Sequence, residues 1–99
     1  VDTAAEAAAI IRAKYQLGLE GGVLIGVPVP AELAIPNEDI EPAIITALKM
    51  AEDQGVRGKA ITPFLLAHVA ELTGGESMKT NIALLANNAR VATLIARAL

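Results

Sequence analysis

Residues 21–30 read GGVLIGVPVP, and the fold class turns on what they form. Val23 to Val27 is a short apolar run, rich in β-branched residues and closed off by glycines and prolines, which predicts a β-strand. Its apolar side chains occupy both parities, as in a strand covered on both faces. Pro28 and Pro30 then end any ladder and predict an extended exit.

On either side the pattern is helical. Thr3 and Glu6 have capping-box spacing, and Ala4 to Leu17 runs through good helix formers to Gly18, with Ile10, Ile11, Lys14 and Tyr15 placing bulk on one side. A second helix is predicted with Asp39 as cap, Pro42 in its first turn, and Ile40, Ile44, Ala47, Leu48 and Ala51 as the buried stripe before Gly55. A third begins at TPFLL, with Thr62 as cap and Pro63 at the first helical position; Leu65, Leu66, Val69 and Leu72 face inward and Gly74 stops it. The fourth runs from a Ser77 cap to near Leu99.

One strand buried on both faces cannot satisfy its own backbone groups, and these 99 residues offer it no neighbour. The reading is therefore α/β: about four helices and one buried strand, forming the helix-rich C-terminal part of a larger α/β protein. The start at Val1 rather than Met agrees with that expectation. On this reading the isolated chain is only marginally folded.

Composition narrows the function. Net charge is −3, which argues against a nucleic-acid surface, since phosphate contacts need clustered Lys and Arg. There is no cysteine, hence no disulfide and no thiolate metal site, compatible with a cytoplasmic home. No run of 18 apolar residues could span a membrane. Alanine makes up 20 of the residues, against one Phe, one Tyr and no Trp, which predicts closely packed helices with thin side chains.

Most chemistry-bearing residues have plain structural readings. GVRGKAIT at 55–62 fails as a phosphate loop because Ala60, not Ser or Thr, follows Lys59, so Lys59 reads as a solvated loop lysine. His68 stands alone, without the Cys or Asp cluster of a metal site. Asp39, Glu41, Glu52 and Asp53 suit helix dipoles and a solvated face. Asn81 and Asn88 resist such a reading. They lie seven residues apart on the face of Leu84, Leu85, Val91 and Ile95, where an amide needs a partner. Asn81 follows Gly74, Gly75 and Ser77, a helix start with N–H groups to offer an anion, and divides between ligand contact and a bond to a loop. Asn88 is expected to bond protein backbone.

Three stretches, AIIRAKYQLGLEGGVLIGVPVP, GVRGKAITPFLLAHVAELTGGESMKTNIALLANNARVA and the helix between them, resemble the C-terminal third of the pseudouridine-5′-phosphate glycosidase (indigoidine synthase A-like) family. One departure is Val27-Pro28-Val29-Pro30, where many members carry Asn before the first proline. The resemblance implies a homotrimeric, manganese-dependent enzyme with a three-layer α/β/α fold that reversibly cleaves pseudouridine 5′-phosphate to uracil and ribose 5-phosphate. It implies one larger glycosidase domain, of which residues 1–99 form a segment with no internal boundary. The family's Schiff-base lysine, acid glutamate and metal-site aspartate, and hence its manganese, fall upstream. No catalytic residue and no metal ligand is expected in this chain, and Lys59 is not the nucleophile. The family's substrate-contacting asparagine corresponds to Asn81. The alternatives are a catalytically inactive helical interaction module, in which residues 23–27 are a linker, or a role in the indigoidine pathway.

Overall fold

The computed structural model describes residues 1–99 and is helical throughout. Four α-helices, α1 (Ala4–Gln16), α2 (Asn37–Asp53), α3 (Ile61–Leu72) and α4 (Glu76–Ala98), are joined by loops carrying two 3₁₀ turns, Ala31–Leu33 and Gly58–Ala60. There is no strand, so the α/β assignment of this chain is corrected to all-α. Residues 23–27 are irregular, exchange no backbone hydrogen bond with another segment, and leave Leu24 99% exposed. Composition can favour a strand, but pairing makes one, and no second run is present to pair with.

Local helix signals fare better. At α1 the Thr3 hydroxyl accepts from the Glu6 N–H at 3.2 Å, while the Glu6 carboxylate accepts from the Thr3 N–H at 2.9 Å. The helices α1, α2 and α3 stop where glycine was expected. After α3, Gly74 at φ 61° lets the Gly75 N–H reach the Ala70 carbonyl and its own N–H reach that of Glu71. Helix α2 departs from expectation. It begins at Asn37 behind Pro36, with no side-chain cap, so Asp39 lies inside the first turn. Pro42 is the sixth helical residue, beyond the first turn, and its missing N–H leaves one internal bond unmade.

The chain divides into two compact units, residues 1–28 with 84–99, and residues 29–83. In the first, Ala7 and Ala8 of α1 pack with Ile95 of α4, flanked by Ala4, Ile11, Val91 and Ala98. In the second, Ala43 and Ala47 of α2 pack with Val69 of α3, flanked by Ile40 and Leu65. The buried stripe of α2 is thus its alanines, Ala43, Ala47 and Ala51, rather than Ile44 and Leu48, which stay exposed. Small side chains allow close helix approach, and the bulkier residues stand beside the seam. Leu66 and Leu72 of α3 and Ile10 and Tyr15 of α1 are likewise exposed, and no large side chain is fully buried.

Burial supplies most folding free energy, at about 25 cal/mol per Å² of apolar area, and thin cores supply little of it. The isolated 99-residue chain is expected to bind a hydrophobic dye and to melt without a cooperative transition in calorimetry. A sharp two-state transition of a monomer would contradict this. A second expectation concerns acid. Hydrogen bonds from the backbone of Asp2 and Thr3, then from the Thr3 hydroxyl, hold the Glu6 carboxyl below its usual 4.5. A lowered folded-state value means that the capping contribution is present above about pH 4.5 and is lost as pH falls through the folded value. Carboxyl NMR titration should show Glu6 titrating below 4.5, and Thr3→Ala, which removes the hydroxyl but keeps both backbone donors, should reverse only part of the lowering.

Candidate functional site

Where α3 ends and α4 begins, one side chain organises the backbone. The Thr73 hydroxyl donates to the Val69 carbonyl at 2.7 Å and accepts from the Ser77 N–H at 3.1 Å. The N–H groups of Gly74, Gly75 and Glu76 donate to the carbonyls of Glu71, Ala70 and Thr73. Two sequence expectations are corrected here. Ser77 is not the cap, because Thr73 already satisfies its N–H. The helix start is also less open to an anion than expected, because the N–H groups of Gly74, Gly75, Glu76 and Ser77 are already used.

Ser77 instead lines a cavity of about 410 Å³ within the second unit, with Asn81 one helical turn further along α4 and Thr62 on α3. Thr62 is also not a cap: α3 begins at Ile61 behind Ala60, with no side-chain cap. The remaining wall is Ile40, Ile44, Leu65, Leu66, Val69 and Met78. Ser77 and Asn81 are half-buried and Thr62 is exposed. The side-chain hydrogen bonds of α4 are made by Lys79, Thr80, Asn87, Arg90 and Thr93, which leaves the Ser77 hydroxyl and the Asn81 amide without a protein partner. An apolar pocket with a few converging neutral donors and acceptors is the ordinary form of a small-molecule site.

A larger cavity in the same unit, about 590 Å³, is lined by Leu33, Thr73, Thr80 and four charged groups. Those charges are Glu32, Asp39, Glu76 and Lys79, and Lys79 already pairs with Glu76 at 3.2 Å. Three carboxylates against one engaged lysine make it a poor place for a phosphorylated ligand. Thr80 has a structural task there, donating to the Leu33 carbonyl at 3.0 Å.

The other flagged residues lie apart from the 410 Å³ cavity. Lys59 is exposed in the second 3₁₀ turn. His68 stacks on Phe64 with ring centroids 4.1 Å apart and sets Nδ1 3.6 Å from the Glu71 carboxylate. Asn88 does not bond backbone: its Oδ1 is buried in the first unit without a partner. The backbone clamp is the adjacent Asn87, whose Nδ2 donates to the Pro28 carbonyl at 3.1 Å. Arg90 donates to Asn87 Oδ1 through Nε and Nη2, at 3.2 and 2.9 Å, and so orients the amide. Sequence reading passed over Asn87 because heptad spacing from Asn81 selects position 88.

Comparison with known proteins bears on the same residues. The family model described as indigoidine synthase A like protein matches residues 1–98. The chain belongs to the indigoidine synthase A-like family. Among its relatives in that family, the pseudouridine-5′-phosphate glycosidase of Cupriavidus pinatubonensis is 50% identical over 99 residues, covering 100% of this chain and 32% of that protein. The glycosidase of the same name from Escherichia coli is 50% identical over 97 residues, 98% of this chain and 31% of that one. The crystal structure of a prealnumycin C-glycosynthase in complex with ribulose 5-phosphate superposes with a TM-score of 0.80 at 32% identity, covering 100% of this chain and 33% of its own. The chain therefore spans about a third of the length of the family members it matches. No helix in it is long and apolar enough to cross a membrane.

The cap assignment yields a stability test in the full-length protein. Thr73→Val should cost roughly 0.5–2 kcal/mol, while Thr62→Val, which removes no cap, should cost less than about 0.5 kcal/mol. Thermal melts that reverse this order would return the capping role to Thr62.

Proposed function

We propose that these 99 residues form a segment of a single larger domain of a pseudouridine-5′-phosphate glycosidase. The reaction breaks the C–C bond between C1′ of ribose 5-phosphate and C5 of uracil. Water supplies the proton that C5 gains and the hydroxyl that C1′ gains, and the reverse reaction forms the same bond with loss of water. Identity near 50% along the whole chain to glycosidases of that name carries the reading. Likeness to an enzyme named for making a C-glycosidic bond supports the same chemistry.

In this reading Asn81 hydrogen-bonds the substrate. Its support is its place on the cavity wall, its amide without a protein partner and its match to the family's asparagine. An amide offers both a donor and an acceptor and carries no charge to desolvate. The same reading makes the enzyme a cytoplasmic homotrimer, with manganese, Schiff-base lysine, acid glutamate and metal-site aspartate supplied by other parts of the polypeptide. No three His, Cys, Asp or Glu side chains converge among these 99 residues. These residues do not fit a manganese site.

An inactive helical module is the second reading, favoured by the absence of a strand and by the irregular course of residues 23–27. The large apolar side chains left exposed weigh against independence. Kinetics of the full-length protein separate the two. Asn81→Ala should lower kcat/KM for pseudouridine 5′-phosphate by about 1–3 kcal/mol of transition-state stabilisation while moving Tm little. Full activity with an earlier melt would make Asn81 a structural clamp. Absence of cleavage by the wild-type protein would support the module.

A further inference from the structure

The cavity around Asn81 holds three neutral polar groups, those of Thr62, Ser77 and Asn81, and no ionisable side chain. That lining decides which part of a substrate it can take. A phosphate monoester carries about −1.5 to −2 charge near pH 7 and is held by Arg, Lys or free N–H groups. No Arg or Lys lines the cavity, and the N–H groups from Gly74 to Ser77 are used within the protein. A flat, neutral heterocycle fits better. Its faces meet the aliphatic walls, and its N–H and C=O edge meets hydroxyl and amide.

Within that trio Ser77 has lost the usual duty of a serine at a helix start. Thr73, four residues earlier, accepts the Ser77 N–H and does the capping. The freed Ser77 hydroxyl is half-buried, has no protein partner, and lies one turn before Asn81 on the same wall.

We infer that Ser77 is a second specificity-determining residue of this cavity, its Oγ hydrogen-bonding the polar edge of the uracil ring beside the Asn81 amide. The inference rests on the glycosidase reading. It assigns the nucleobase to this cavity and leaves the phosphate to be held elsewhere.

The test uses the full-length enzyme in the synthetic direction, with uracil and ribose 5-phosphate varied separately, for wild type, Ser77→Ala and Ser77→Thr. Ser77→Ala should raise KM for uracil about three- to tenfold, as loss of one neutral hydrogen bond does, with Tm nearly unchanged because Thr73 still caps the helix. KM for ribose 5-phosphate should stay constant, and Ser77→Thr, which keeps a hydroxyl, should recover most of the loss. An unchanged KM for uracil would overturn the inference. So would an equal rise for both substrates with a lowered Tm, which marks a structural hydroxyl. A wild-type enzyme that makes no pseudouridine 5′-phosphate would overturn the proposed function and this inference with it. Activity indifferent to Ser77→Ala would overturn this inference alone.

Discussion

The Thr73 hydroxyl makes two hydrogen bonds on which the arrangement of the cavity depends. It donates to the last turn of α3 and accepts from the first turn of α4. Those bonds fix the link Thr73-Gly74-Gly75, consume the N–H of Ser77, and so set where the side chains one turn into α4 point. With the cap supplied from position 73, the groups at 77 and 81 are free of structural work. A site that recognises a neutral ligand needs such unemployed polar atoms, held on rigid helices and set into apolar walls.

The same interaction explains what the sequence could and could not convey. Reciprocal spacing of Thr3 and Glu6, and glycines after α1, α2 and α3, are local signals, and the structure carries them out. Capping by the nearest Ser or Thr failed twice: at Thr62 because α3 already begins at Ile61, and at Ser77 because Thr73, just before the double glycine, reaches forward four residues. That choice depends on the turn, which composition does not encode. Asn81 stands out in the sequence as an amide on a packing face, and in the structure its amide has no protein partner and lines the cavity. Asn87 did not stand out, because its partner is the Pro28 carbonyl, 59 residues away.

Residues 23–27 and the buried faces were misread for a shared reason. Pattern reading ranks positions by apolar size and β-branching, whereas strands are decided by pairing and helix seams by fit. In both units the seam is built on alanine, so larger neighbours such as Ile44, Leu48 and Ile10 remain at the surface. Such a surface is unusual for a self-sufficient domain of this size, and it accords with a chain that spans about a third of its relatives' length.

The central claim is that the cavity between α3 and the start of α4 receives the nucleobase. A crystal structure of the full-length protein with pseudouridine 5′-phosphate, or with uracil and ribose 5-phosphate, tests it most directly. The account predicts the uracil ring between the walls of Ile44, Leu66 and Met78, its edge within hydrogen-bonding distance of Asn81 and Ser77. It would be contradicted by a uracil ring bound elsewhere, with this cavity filled by apolar side chains from the rest of the polypeptide.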